Sequence, residues 1–307
     1  MLDLAVTGAA GTIGSVLCRR LLQDGHSVRF FNRPSDRAKR VATRLERVVP
    51  VWGDVTELSD VKTAIKGVDG VFHLADIIPP GSEKNPELAE KISVGGTKNV
   101  LRAIKEEERD VKLVYPSSIS IFGSTADEKP PIRVDHPITA TDHYTSHKIE
   151  CERLIKRSGV RYVILRLSGV MSPTIVIGED ISLMYQIPAD QRVEYVHVED
   201  VATACINAML SKEGEGKIFI IAGGEPWRMT FYEQIRMILS DGFGLPPPPR
   251  EKFTTKPYYT DWYDTAESQR ILKYQSRTPE DYLDDLKKAV GFKRYLSKLF
   301  GRFFVKY

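Results

Sequence analysis

The chain opens on an extended segment that runs straight into a glycine-rich turn. Residues 2–7 read as a strand, and Gly8-Ala9-Ala10-Gly11-Thr12-Ile13-Gly14 follows at once. Glycine turns tightly and lets its backbone approach a ligand closely. Residues 13–23 then read as a helix. The first turn of such a helix carries backbone N–H groups without internal partners, which suits a pyrophosphate. The spacing is G-x-x-G-x-x-G, not the G-x-G-x-x-G of the simplest fingerprint. Its strand–turn–helix setting is what gives it weight, and it directs the chain toward a parallel sheet that holds a dinucleotide through Gly8, Gly11, Thr12 and Ile13.

The rest of the first half keeps one rhythm. Segments 27–31, 48–52, 71–74, 112–115 and 162–167 read as strands, with helices at 59–66, 86–107 and 145–158. Alternating strands and helices imply right-handed crossovers and helices on both faces of the sheet. The expected fold is therefore α/β: a Rossmann-type doubly wound parallel sheet over 1–168 with a smaller C-terminal substrate lobe at 169–192 and 225–290. Residues 193–224, read as two strands at 193–198 and 217–221 around a helix at 200–210, return the chain to the first domain. Four consecutive prolines, 246–249, make a stiff connection. Thr278-Pro279-Glu280-Asp281 has the makings of a helix start: a threonine cap, a proline and two acids.

Residues 291–307 read as a basic amphipathic helix. From Lys287 onward there are seven basic side chains and no acidic one, although the whole chain carries only +3. The aromatic stripe in this tail is expected to pack on the body or on a second copy in a homodimer, with contact to an acidic membrane surface as the other reading. No nucleic-acid motif accompanies it. No apolar run approaches the roughly 18–20 residues of a membrane span. Cys18, Cys151 and Cys205 are far apart and fall in expected helices, so a reducing cytoplasmic setting is expected.

Tyr144 and Lys148 are four apart and share a helix face. An ammonium beside a phenol lowers the phenol's pKa, which would make Tyr144 a usable acid/base. Ser117-Ser118 lies upstream, at the end of a strand. After the second strand comes Phe31-Asn32-Arg33-Pro34, with Arg37 beyond. No acid stands there to bind ribose hydroxyls, and Arg33 can pair a phosphate, so Asn32 and Arg33 point to NADP, with NAD as the alternative. Asp54 is placed for the adenine edge. His143 and His147 have a metal-pair spacing without a third ligand, and no metal is expected.

These residues together resemble the extended short-chain dehydrogenase/reductases, the NAD-dependent epimerase/dehydratase group. The resemblance runs to about residue 275 and rests on residues 7–14, Gly53-Asp54-Val55, His73-Leu74-Ala75, Gly96-Thr97, residues 115–123, residues 144–148 and residues 196–202. It implies that Val55, Leu74 and Ala75 line the cofactor. It also implies that Ser118 binds the reacting oxygen, Tyr144 moves the proton, and Lys148 holds the nicotinamide ribose. The chain departs from that pattern at Ser93, at Asp76, at Arg166-Leu167-Ser168 and in the short segment 187–192. Asp76 is expected beside the cofactor, where its charge tunes the site. The departures argue against a nucleotide sugar. Ile77, Ile78, Pro79, Pro80, Met171, Met184, Tyr185, Trp227 and Trp262 are the expected apolar pocket. The function expected is an NAD(P)-dependent oxidoreductase acting on a small hydrophobic carbonyl or alcohol. A nucleotide-sugar epimerase/dehydratase and a non-catalytic dinucleotide-binding redox sensor are the alternatives.

Overall fold

Alternation along each strand decides which layer a side chain joins. Leu4 and Val6 of the first strand pack into one core, and Ala5 between them packs into another on the opposite face of the sheet. Phe30 and Phe31 divide in the same way. A strand with both faces covered reads as continuously apolar, as the fully buried Lys112–Ser118 does for most of its length.

The computed structural model describes residues 1–174 and 181–291. The expected tail helix lies outside them. Among the described residues there are ten strands: β1 (Asp3–Thr7), β2 (Ser27–Asn32), β3 (Val49–Trp52), β4 (Gly70–His73), β5 (Lys112–Ser118), β6 (Tyr162–Leu167), β7 (Gly169–Met171), β8 (Arg192–His197), β9 (Ile218–Ile221) and β10 (Arg228–Thr230). Seven form a parallel sheet in the order β3-β2-β1-β4-β5-β6-β9, and β10-β8-β7 form a second, smaller sheet. Helices Thr12–Gln23 and Val198–Leu210 cover one face of the large sheet; Leu58–Ile65, Gly96–Lys105 and His143–Lys156 cover the other. Cys18 and Cys205 are buried in the first core and Cys151 in the second. No helix among the described residues is long and apolar enough to cross a membrane.

Some elements differ from the sequence reading. The strand expected at 193–198 lies in the small sheet, so the chain returns to the large one only with helix Val198–Leu210 and β9. Helix Asp36–Leu45 was not expected; Ser35 caps it by accepting from Ala38 N at 3.1 Å. The helix read at 86–107 is continuous to Lys105 but contains a wider turn at Lys91–Gly95.

The strand order reverses at β1, which has β2 on one side and β4 on the other. A crevice therefore opens at the C-terminal ends of β1 and β4. A hydrogen-bond chain ties those ends together. Thr7 Oγ1 accepts from Leu74 N and Ala75 N, each at 3.1 Å, so its own proton goes to His73 Nδ1 at 2.8 Å. The ring proton then sits on Nε2 and is donated to Thr97 Oγ1 at 3.1 Å, whose proton goes to Ser93 O at 2.7 Å.

His73 is thereby held neutral. Burial, and secondarily the Lys148 ammonium, lower its pKa from 6.5 to about 4. Between those values the unfolded imidazole binds a proton that the folded one refuses, so stability is full above pH 6.5 and falls as pH drops toward 4. The loss is roughly 3 kcal/mol. Urea midpoints measured from neutral to acid pH are expected to fall for the wild type and to fall less steeply for His73→Gln, whose neutral-pH stability starts lower. Equal acid slopes for the two proteins would contradict this role.

Candidate active site

The turn after β1 is shaped by close backbone packing. Gly8 has φ +65°, and a Cβ there would lie 2.8 Å from Ala75 N and 2.9 Å from Leu74 O. A Cβ on Gly14 would lie 2.5 Å from Gly8 O. Gly11 caps helix Thr12–Gln23 without a side-chain bond, and no acid stands in the first turn. The N–H groups of Thr12 and Ile13 therefore lack partners within the helix, while Ala10 N and Gly11 N, on the wall of a cavity of about 370 Å³, are already held by Asn32 Oδ1 and Gly8 O. This donor set fits a dinucleotide pyrophosphate.

Gly8, Gly11, Asn32, Arg33, Asp54, Val55, Leu74 and Ala75 all line that cavity, as do Ser35 and Arg37. Asn32 has a structural duty there: its Oδ1 accepts from Ala10 N at 3.2 Å, which holds the glycine turn against β2. Asp54 Oδ1 accepts from Thr56 N at 2.9 Å while its residue stays on the cavity wall. Arg33 and Arg37 are exposed at the rim.

Thr12 and Ile13 face a second cavity instead, of about 460 Å³, together with Ser118, Tyr144 and Lys148. Leu74 and Asp76 line both cavities and mark where they meet. Helix His143–Lys156 presents Tyr144 and Lys148 on this wall and is fixed at both ends. Asp142 caps it by accepting from Thr145 N at 2.7 Å, and Glu83 accepts from His143 N and Tyr144 N at 3.3 and 3.1 Å. Toward its other end, Glu152 takes a two-pronged bond from Arg166 of β6 at 3.0 and 2.9 Å, with both residues buried. Ser118 Oγ lies 2.7 Å from Ser120 Oγ.

The electrostatics depart from the simple tyrosine–lysine expectation. Lys148 Nζ donates to Pro116 O at 2.8 Å and lies 2.7 Å from Asp76 Oδ2, while the Tyr144 ring centre is 5.7 Å away. Burial opposes the lysine's charge, but Asp76 and the Tyr144 oxygen outweigh it and raise its pKa. Burial likewise opposes the Asp76 charge, and Lys148, Ser93 and the Ile77 N–H overcome it and lower that pKa. Tyr144 moves the other way from the expectation. Desolvation of its hydroxyl raises the pKa; Lys148 and Ser118 pull it down but do not prevail, and Asp76 adds to the rise. The Tyr144 residue is nevertheless partly exposed, so it is the hydroxyl end that is shielded.

The apolar pocket is only partly the one expected. Ile78 and Pro79 line the second cavity and Ile77 lines the first. Trp227 is fully buried and packs with Met171 in a separate core, and Met184 and Tyr185 pack around Phe253. Trp262 is partly buried and directs its Nε1 to Met229 O. Leu167, Val170, Tyr258 and Tyr259 take their place on the wall. The two tyrosine rings stack with centres 5.4 Å apart. Gln191 holds this segment, accepting from Tyr258 N and donating to Thr260 O. An aromatic doublet just before Trp262 was the available signal. Ser117 and Ser168 also line this cavity, and their Oγ atoms are buried without hydrogen-bond partners among the described residues. Leaving such groups unpaired costs about 1–3 kcal/mol each.

Comparison with known proteins places this geometry. A model of the NAD dependent epimerase/dehydratase family matches residues 4–222. The chain is 30% identical over 254 residues to short-chain dehydrogenase/reductase family 42E member 1 of Macaca fascicularis, covering 72% of this chain but only 63% of that protein's length. It is 26% identical over 325 aligned positions to tetraketide alpha-pyrone reductase 1 of Arabidopsis thaliana, covering 96% and 97% of the two chains. In fold it is similar to UDP-glucose-4-epimerase from Stenotrophomonas maltophila, solved with NAD and formylated UDP-arabinopyranose. That match has a TM-score of 0.80 at 20% identity and covers 97% of this chain and 100% of that one.

The glycine turn yields a direct test. Gly8 and Gly25 both have positive φ, but a Cβ on Gly25 meets nothing within 4 Å. Alanine at either position carries the left-handed backbone cost of roughly 1–2 kcal/mol. Gly8→Ala adds the collision with β4's end, so its loss in urea unfolding is expected to exceed that of Gly25→Ala by at least about 1 kcal/mol. Equal losses would mean that the turn is looser than it is drawn here.

Proposed function

The chain belongs to the NAD dependent epimerase/dehydratase family, and from that premise we propose that it is an NADP-preferring oxidoreductase acting on a small hydrophobic carbonyl or alcohol. The observation that carries this reading is the second cavity. Its apolar walls are Ile13, Ile78, Pro79, Leu167, Val170, Tyr258 and Tyr259, and Ser118, Tyr144 and Lys148 are among the polar residues that line it. Apolar walls with a few convergent polar groups suit a small apolar ligand whose one oxygen must be oriented. The reductase name carried by the Arabidopsis relative, which this chain matches over nearly its whole length, agrees with it.

A bound nicotinamide dinucleotide supplies or accepts the hydride. The chain's own residues manage the oxygen. In reduction, negative charge develops on the substrate oxygen as its carbon gains the hydride; Ser118 orients that oxygen, and Tyr144 gives it a proton. Burial keeps Tyr144 protonated, the form that reduction needs. Oxidation needs the phenolate, so its rate is expected to keep rising at alkaline pH where the rate of reduction has begun to fall. Lys148 supplies the positive charge that favours the phenolate.

Arg33 and Arg37, exposed on the rim of the first cavity beside Ser35, support NADP over NAD. A guanidinium matches a phosphate in both charge and geometry. Arg33→Ala is expected to lower the NADP-over-NAD preference about tenfold, equal to roughly 1.4 kcal/mol; an unchanged preference would remove the arginine from this role.

The decisive measurement is net oxidation of NADPH against a panel of hydrophobic aldehydes and ketones. Tyr144→Phe is expected to reduce turnover by roughly 10²–10⁴-fold while dinucleotide binding persists. Full turnover in Tyr144→Phe would reject the mechanism. Substrate isomerisation without net change in the nicotinamide absorbance would instead identify an epimerase.

A further inference from the structure

Asp76 occupies an unusual place. It is the carboxylate shared by the walls of both cavities, and its side chain is 12% exposed. One oxygen is fully engaged: Oδ1 accepts from Ile77 N at 2.8 Å and from Ser93 Oγ. The other, Oδ2, is buried, makes the 2.7 Å ion pair with Lys148 Nζ and takes no further partner among the described residues. A buried carboxylate oxygen normally accepts one or more hydrogen bonds. Lys148 is drawn to this point although it is also within reach of Pro116 O and the Tyr115 hydroxyl.

We propose that Asp76 is a positioning residue for Tyr144 and Lys148: it draws the Lys148 ammonium to the join between the two cavities and, through the lone pair of Oδ2 that the ammonium leaves over, accepts from a hydroxyl on the nicotinamide side of the bound dinucleotide. This rests on the oxidoreductase reading above. The glycine turn between the cavities fits the phosphates, and Tyr144 stands in the second cavity, so the part of the ligand that runs from one to the other passes Asp76. A ribose has hydroxyl donors to offer there, and a carboxylate beside an ammonium is an acceptor–donor pair that matches a diol.

The same placement makes Asp76 a control on the proton chemistry. The titratable groups packed around it are Tyr144, Lys148 and Cys151 on helix His143–Lys156, Tyr115 on β5 and His73 on β4, with Asp142 just before the helix. Within this set the Asp76 charge opposes the Tyr144 phenolate directly and also holds Lys148, which favours it. Removing the charge lifts the direct repulsion on the phenolate and eases ionisation of Tyr144; it also withdraws a support of the Lys148 ammonium, so the repulsion sets the direction while Lys148 stays charged.

Two variants test this without substrate. Asp76→Asn keeps the side chain's shape, and Asp76→Ala keeps only its backbone. The ionisation of Tyr144 in cofactor-free protein is read as the phenolate absorbance that disappears when Tyr144→Phe is added. In Asp76→Asn it is expected to shift to lower pH by about one unit, a tenfold change in ionisation constant. Asp76→Ala serves for the same titration should the Asn variant not fold. Binding of NADPH to Asp76→Ala, followed by its fluorescence, is expected to weaken about tenfold. Binding of adenosine bisphosphate, the half of NADP that lacks the nicotinamide ribose, is expected to stay within about twofold. An unmoved titration overturns the proposal. So does equal weakening of both ligands, which a merely deformed cleft would produce. If the wild type bound neither ligand, the oxidoreductase reading and the diol contact would both fail. If it bound both and only the variant's titration stood still, that reading would survive and this proposal would not.

Discussion

The hydroxyl of Thr7 decides how the two halves of the site meet. It sits at the end of β1, accepts two backbone N–H groups from the segment after β4, and passes its own proton to His73. The chain continues through Thr97 to the Ser93 carbonyl, which also accepts from Cys151 on helix His143–Lys156 at 3.4 Å. One buried string of polar groups thus joins the glycine turn, the strand-order reversal and the helix bearing Tyr144 and Lys148. Each member has one donor and one acceptor assignment that satisfies its neighbours, and a half-satisfied string of this kind would be costly in a low-dielectric interior. The crevice is therefore held at a set width on the side where the first cavity runs into the second.

Much of this was legible before the structure. Short apolar, β-branched runs alternating with helices located all seven strands of the large sheet, because a strand covered on both faces is apolar along its length; the run at 193–198 has the same look but lies in the small sheet. The glycine turn was legible because φ and space both demand glycine at Gly8. The eight residues expected along the first cavity apart from Thr12 and Ile13 do line it, and those two line its neighbour. Asp76 was legible as an outlier in a motif. What it does was not, since pairing with a lysine seventy-two residues away is set by the tertiary fold.

The illegible parts share one cause: they depend on contacts between distant segments. Glu83 caps helix His143–Lys156 from sixty residues upstream. The tyrosine pKa was misjudged because spacing shows the neighbouring charge and not the burial of the hydroxyl, and here desolvation outweighs the ammonium. Trp227 looked like a pocket residue because a large aromatic in a variable lobe reads equally well as wall or core. Helix Asp36–Leu45 was legible in principle, since Ser35 before an acid is a capping signal; the charged stretch that follows, which buries only Ala38 and Ala42, masked it.

The small lobe is built on a different principle from the large sheet. Two buried carboxylates anchor it. Glu194 pairs with Arg228 and accepts from Gly224 N and Tyr263 N, and Asp261 pairs with Arg192 and accepts from Thr125 Oγ1. Such pairs add little net stability, because desolvating two charges offsets most of their attraction. Their effect lies in what they forbid. Any arrangement that leaves one partner buried alone costs roughly 3–5 kcal/mol. Arg192 and Arg228 lie on β8 and β10, while Asp261 and Tyr263 follow directly after the Tyr258–Tyr259 doublet. The penalty therefore fixes the register between the small sheet and the aromatic wall. The small lobe can lend Val170, Tyr258 and Tyr259 to a cavity whose other walls belong to the first domain, although apolar packing alone would be indifferent to a shift of one residue, because ionic pairs outside that cavity are not indifferent to it.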